Sequence, residues 1–233
     1  MTRLEDDLKK AEMSSASKKV MLFFIVFSAL VGIFGGIIYW ITSDLPNIKL
    51  LEEYTPIESS RVYSSDGKVI AELYVERRTF IPHYQIPEHV KKAFVSVEDI
   101  RFYHHPGVDL IGIMRALWHD VKAGGIVEGG STITQQLARM LFLKPERSLK
   151  RKLKEAVLSI RIEKRYTKDE ILGLYLNQAY FGTRAYGIEA ASQTYFGKSV
   201  QELSIGEAAL LATLPKAPSF YSCLLYTSPS PRD

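Results

Sequence analysis

Two adjacent acids, Glu98 and Asp99, close a largely apolar stretch, Phe94-Val-Ser-Val97. A carboxylate at the end of an apolar helix is partly desolvated. Desolvation disfavours the charged form, raises the pKa and makes the group a competent base near neutral pH. An ordinary helix terminus can carry the same pair, and the two residues alone do not decide between these readings. His104 and His105, a few positions on, read as packing or hydrogen-bonding residues. The five histidines form no H-x-x-x-H pair, and a single cysteine excludes a Cys-based zinc site and an intrachain disulfide framework. A second candidate is Gly129-Gly-Ser-Thr132, which leads into Ile133-Thr-Gln-Gln136 and on to Arg139. Thr132 and Gln135 have capping-box spacing. A Gly-rich entry to a helix N-terminus offers backbone N–H groups suited to an anion such as phosphate, although a plain cap after a loop has the same sequence. No Walker lysine follows, so this is not a nucleotide P-loop. A third candidate is the block 144–168, with ten Lys/Arg against three acids. On a helix, Arg147, Arg151 and Glu155 recur every four residues on one face. Leu149, Leu153, Val157 and Ile160 fall on another and are expected to pack into the core. Glu155 among cations should stay ionised, and such a face suits a pyrophosphate. A solvated or headgroup-binding basic face is the alternative.

The chain that positions these groups has 233 residues, 46% hydrophobic and 24% charged, which suits a folded domain with additions and excludes wholesale disorder. The net charge of +4 is too small to imply nucleic acid. Residues 1–19 are polar and are expected to form a cytoplasmic tail without regular structure. Residues 20–43 carry no charge, and the 22 residues of 20–41 include fourteen Leu, Ile, Phe or Val. As a helix this core spans ~33 Å against a hydrocarbon layer of ~30 Å. Insertion is favoured by about 4–8 kcal/mol. No small-x-small cleavage site follows, so the segment reads as an uncleaved anchor. Arg3, Lys9, Lys10, Lys18 and Lys19 precede it and Lys49 alone follows closely, which places the N-terminus in the cytoplasm and the rest outside. Residues 44–59 read as a linker. Runs 61–63 and 69–75 flank Ser64-Ser-Asp-Gly67, a hairpin signal. Apolar residues at three- and four-residue spacing predict helices over 90–99, 110–123, 132–143, 148–165, 168–178, 185–195 and 205–214. Residues 60–222 are therefore expected to form a mainly α domain with a small β hairpin near the membrane. The last stretch, CLLYTSPSPRD at 223–233, breaks in composition and resembles the translation of a sequencing-library adaptor. It is expected to be foreign to the native protein, whose catalytic domain would continue further.

In order along the chain, these segments resemble the glycosyltransferase domain of class A penicillin-binding proteins, glycosyltransferase family 51. The pattern E-D-x-x-F-Y-x-H-x-G-x-D appears as Glu98, Asp99, Phe102, Tyr103, His105, Gly107 and Asp109. G-G-S-T-I-T-Q-Q appears at 129–136, including Gly130 and Gln135, and R-K-x-K-E as Arg151, Lys152, Lys154 and Glu155. Blocks 168–177, 186–198 and 207–218 also match. The resemblance implies a lysozyme-like helical fold that polymerises lipid II into β-1,4 glycan strands and releases undecaprenyl pyrophosphate. It implies that Glu98 is the base taking the proton of the acceptor's sugar 4-hydroxyl. Ser131, Gln136, Arg139, Arg147, Arg151 and Lys154 would contact the pyrophosphate or position the donor. Glu155 would be a second essential carboxylate that orders the cations or a divalent metal. No cofactor is required by the sequence, and a divalent cation, Mg or Mn, stays open. The partners implied are lipid II, the growing strand and the cytoplasmic membrane, with other cell-wall synthesis proteins open and nucleic acid not expected. The location implied is a single-pass type II protein with its catalytic domain on the outer or periplasmic face. The full set of transpeptidase motifs, S-x-x-K with S-x-N and K-T-G, does not occur, so a transpeptidase domain is expected either to be missing from this chain or never to have existed. A membrane-anchored lysozyme-like lytic enzyme and a non-catalytic cell-wall scaffold are the competing classes. The basic block argues against the first, and intact Glu98 and Glu155 against the second.

Overall fold

The computed structural model describes residues 2–43, 45–46, 60–66, 69–73, 77–125, 130–146, 148–216 and 218. The expected artefact at 223–233, most of the linker, and Arg147 lie outside them. The chain divides into two compact units, Met1–Leu45 and Pro46–Asp233.

The first unit is one helix, α1 (Thr2–Thr42), and its stretch Lys18–Gly36 is long and apolar enough to cross a membrane. The polar N-terminal tail does not lack regular structure, as expected from its charge, but continues this helix to Thr2. Residues 4–13 are mostly good helix formers, three acids sit near the positive end of the helix dipole, and propagation from a formed helix needs no new nucleus.

The second unit begins with the expected antiparallel hairpin, β1 (Ser60–Tyr63) and β2 (Val69–Leu73), with Ser60 opposite Leu73. Among the described residues seven helices follow: α2 (Glu88–Glu98), α3 (Leu110–Ala123), α4 (Ile133–Phe142), α5 (Leu149–Glu163), α6 (Lys168–Gln178), α7 (Ile188–Phe196) and α8 (Ile205–Thr213). Capping boxes start α4 (Thr132 with Gln135), α6 (Thr167 with Glu170) and α8 (Ser204 with Glu207). Left-handed Gly124 and Gly197 end α3 and α7. A two-residue strand β3 (Arg77–Arg78) pairs in parallel with β4 (Ala185–Tyr186) and delays the start of α7 to Ile188. Strands this short leave no alternating pattern to read in the sequence.

α6 is the central helix. Ile171, Leu172, Gly173, Tyr175, Leu176, Asn177 and Gln178 are all buried, so it is covered on every side. α4 packs on α6 and α5, and α2 packs on α8. Phe94, Leu137, Leu158, Ile162, Leu172 and Leu211 are fully buried, each worth about 1.5–3 kcal/mol of transfer free energy. Asn177 locks the segment before α2 onto α6: its Oδ1 accepts from Ile81 N–H at 2.9 Å and its Nδ2 donates to Ile81 O at 2.8 Å.

α5 corrects one expectation. Its inward face is Glu155, Leu158, Ser159 and Ile162, while Leu149, Leu153 and Ile160 face out. Leu158 and Ile162, fully buried beside Glu155, turn that face to the interior and leave Leu149 and Leu153 outside. α3 shows the same inversion: Gly112 and Ala116 are its buried residues, and Leu110, Ile111, Met114, Leu117, Trp118 and Val121 are exposed along one face.

Candidate active site

Glu98 is the last residue of α2, and Asp99 leaves the helix with φ −160°. The two carboxylates then meet different surroundings. Asp99 is buried and satisfied. It accepts from His105 Nε2 at 3.0 and 3.1 Å and from Ile133 N–H at 3.0 Å. Gly107 N–H donates to His105 Nδ1 at 3.2 Å, so the ring proton sits on Nε2 and is given to Asp99. Thr132 Oγ1 donates to Gly107 O at 2.6 Å. Lys168 Nζ donates to His105 O and to Glu163 Oε1, both at 2.7 Å, and lies 4.4 Å from the centre of the Phe102 ring. Thr134 Oγ1 donates to the same Glu163 oxygen at 2.6 Å. The loop after Glu98 is thus fastened to the start of α4 and to the junction of α5 and α6. Gly107 is required there: φ is +97°, and a Cβ would stand 2.8 Å from the Ser159 backbone.

These contacts build the plain cap at the α4 N-terminus that the sequence favoured over an anion site. Ile133 N–H is taken by Asp99, Gln135 N–H by Thr132 Oγ1, and Thr132 N–H by Gln135 Oε1. The protein supplies its own anion.

Glu98 is held by one group: Gln136 Nε2 donates to Oε2 at 2.8 Å. Its Oε1 is buried and has no hydrogen-bond partner among the described residues. Burial pushes the carboxyl above its ordinary value, more than the Gln136 hydrogen bond and the nearby Lys216 and Arg139 charges pull it down. It faces a cleft of about 580 Å³ whose walls also include Ser131, Gln136, Arg139, Arg101, Arg115 and Lys216. An ionisable base with depressed charge stability, opposite several cations, is an arrangement for removing a proton from a neutral nucleophile while anionic charge is stabilised nearby.

Beside the cleft lies the cluster around Glu155, which is 1% exposed. Arg151 Nη1 stands 2.9 Å from Oε1, and Lys152 Nζ stands 2.9 Å from Oε2. The same Lys152 Nζ donates to Ser131 Oγ at 2.6 Å. The cluster therefore reaches the cleft wall through Lys152. Two cations engage both oxygens of Glu155, which makes it a poor ligand for a divalent cation. No three His, Cys, Asp or Glu side chains converge among the described residues.

Of the residues singled out from sequence, Glu98, Asp99, Asp109, Gly130, Ser131, Thr132, Gln136 and Arg139 line the cleft. Arg151 and Glu155 stand behind Ser131, and half-buried Lys154 on α5 is not part of the cleft wall. Phe102, His105, Gly107 and Gln135 belong to the supporting loop and cap. Sequence reading missed Lys152, Lys168, Glu163, Arg101, Arg115 and Lys216 as site groups. The Lys152–Glu155 spacing of three was a usable signal for one of them. Lys216 stood in the matched block 207–218 without a role and Arg115 gave no signal, because only the tertiary fold brings them to the cleft that Glu98 lines.

The family described as Transglycosylase matches residues 66–230. Penicillin-binding protein 1A of Aquifex aeolicus (strain VF5) is 50% identical over 200 residues, covering 84% of this chain and 28% of that protein. Penicillin-binding protein 1A of Escherichia coli (strain K12) is 49% identical over 189 residues, covering 81% and 22%. Penicillin-binding protein 1F of Bacillus subtilis (strain 168) is 49% identical over 168 residues, covering 72% and 24%. The chain thus spans about a quarter of the length of these relatives. With more than half of its length matched, behind the cleft that Glu98 and Gln136 share, this chain belongs to the transglycosylase family.

Proposed function

We propose that this chain is a peptidoglycan glycosyltransferase that joins lipid II units into β-1,4 glycan with release of undecaprenyl pyrophosphate. The observation that carries the reading is the half-buried Glu98 carboxyl, held by Gln136 among the described residues and sharing the cleft with Arg139 and Lys216. Glu98 takes the proton from the acceptor's sugar 4-hydroxyl as that oxygen bonds to the donor's anomeric carbon. The bond from that carbon to the pyrophosphate breaks, its electrons leave with the phosphate oxygen, and the configuration inverts. Pyrophosphate needs charge stabilisation more than a strong proton donor, so Arg139 and the Ser131–Lys152–Arg151 group suit its departure. Glu155 orders those cations.

Lipid-linked substrates place the reaction at a membrane surface. The apolar stretch of α1 supports an anchor, and the basic residues before it support a cytoplasmic N-terminus with the catalytic unit outside. On the second unit, the outward apolar face of α3 suits lipid: Trp118 is 72% exposed and Val121 79%. A row of six such residues on one helix face is far more apolar than a soluble surface ordinarily shows.

The test is polymerisation of labelled lipid II by the chain in vesicles, read as glycan length on a gel. The unsubstituted chain should form polymer and Glu98→Gln should not, with both equally folded by circular dichroism. Polymer from Glu98→Gln at the unsubstituted rate refutes the assignment of the base. Cleavage of finished glycan in place of lipid II polymerisation selects the lytic reading.

A further inference from the structure

Tyr175 lies on α6, the central helix, and is 1% exposed. Its hydroxyl is buried without a hydrogen-bond partner among the described residues. A phenylalanine would fill the same space without burying an unpaired polar group, so packing alone does not account for the hydroxyl. Glu98 Oε1 is a buried, unpartnered acceptor in the same part of the molecule, and Glu98 and Arg139 are the charges whose fields reach Tyr175. Helix α4, which carries Gln136 and Arg139, packs directly on α6. A buried donor with no acceptor and a buried carboxylate oxygen with no donor are complementary defects.

We propose that Tyr175 is a positioning residue for Glu98, its hydroxyl supplying, through one water, the hydrogen bond that Oε1 lacks. Burial holds the phenol well above its ordinary range, so it remains a donor at every working pH. With Gln136 on Oε2 and Tyr175 on Oε1, the carboxylate is fixed in orientation, and its remaining lone pairs face the cleft. A donor also stabilises the ionised form, so Tyr175 helps set the pH at which Glu98 becomes a base. The charged groups facing Glu98 are Asp99 beside it, Arg139 from α4 and Lys216 after α8; those facing Tyr175 are Glu98 and Arg139.

This inference rests on the proposed polymerase reading, and its test separates the two. The whole chain in vesicles is assayed with labelled lipid II for the pH dependence of kcat/KM. Tyr175→Phe should move the acid limb up by about one pH unit, the scale of losing one hydrogen bond to a charged group, with the fold retained by circular dichroism. Replacing Tyr175 by 3-fluorotyrosine, a stronger donor of nearly the same size, should move the limb down. A limb that stays in place in both variants, whatever happens to the maximal rate, overturns the proposal. If Tyr175→Phe does not fold, the fluorotyrosine variant decides by itself. If the unsubstituted chain forms no polymer at any pH, the functional reading fails. The titration of Glu98 by carbon-13 carboxyl NMR, assigned against Glu98→Gln, then decides Tyr175: an upward shift in Tyr175→Phe supports it and no shift overturns it.

Discussion

Asp99→Asn isolates the fastening of the loop from the chemistry of its neighbour. Asp99 offers two anionic oxygens to two buried donors, His105 Nε2–H and Ile133 N–H, at 3.0–3.1 Å. Asparagine keeps the size and loses one acceptor and the charge. If its oxygen takes the Oδ1 position, the amide NH2 faces Ile133 N–H, and a buried donor is left unmatched at about 1–3 kcal/mol. If its oxygen takes the Oδ2 position, both donors keep an acceptor, but the amide stands against the His105 ring and both bonds lose their charge assistance, about 1 kcal/mol each. Either arrangement costs about 3 kcal/mol. In a domain of this size that corresponds to a fall in melting temperature of about 6–12 °C. The assay is thermal unfolding of Asp99→Asn and the parent chain by circular dichroism in the same detergent. A cycle with His105→Phe should give a coupling of about 1–2 kcal/mol, since the two side chains share one bond. A fall below about 3 °C, or additive effects in the cycle, would refute the claim that this buried network holds the loop.

Three further outcomes are expected. Glu98, whose carboxyl is raised by burial, binds its proton more tightly folded than unfolded; it lends stability below its ordinary value of 4.5 and loses it as pH rises through the higher folded value. Glu98→Gln should therefore raise the melting temperature more at pH 8 than at pH 4, measured by scanning calorimetry, and an equal change at both would contradict the burial argument. Gly107→Ala should destabilise by about 2–4 kcal/mol in urea unfolding, because strain at φ +97° adds to a collision with the Ser159 backbone. Lys152→Met and Glu155→Gln should each lower polymerisation by about 10²–10³-fold, the loss typical of removing one aimed charge-stabilising group, and a change of only a few-fold would mark the cluster as structural.

The sequence discloses local structure well here because local rules set it. Thr132 with Gln135 predicts a capping box, and it forms; α3 and α6 lie where apolar spacing puts them. The desolvation of Glu98 was legible from the apolar residues preceding it. What periodicity does not supply is the sign of a face. In α5 the stripe of Leu149, Leu153 and Ile160 is as regular as any core stripe, yet it points outward because a second apolar pair, Leu158 and Ile162, goes in together with the paired Glu155. Nor does local reading supply partners distant in sequence. Asp99 meets Ile133, and Lys168 meets His105, only once the loop folds across α4 and α5. The same folding brings Asp99 to the α4 N-terminus, an addition to the cap that no local spacing shows.

Glu98 and Asp99 show how one dipeptide is divided between holding and reacting. The backbone turns between them, from the last helical residue to φ −160°, and sends their side chains to different neighbours. Asp99 receives two donors and becomes part of the framework. Glu98 receives one side-chain donor among the described residues, Gln136, and is destabilised in its charged form by burial. Hydrogen bonding to both oxygens makes Asp99 an anchor, while burial without such pairing makes Glu98 the more willing base. The rigidity given to Asp99 also serves Glu98, because a base keeps its aim only when the backbone beside it is fixed.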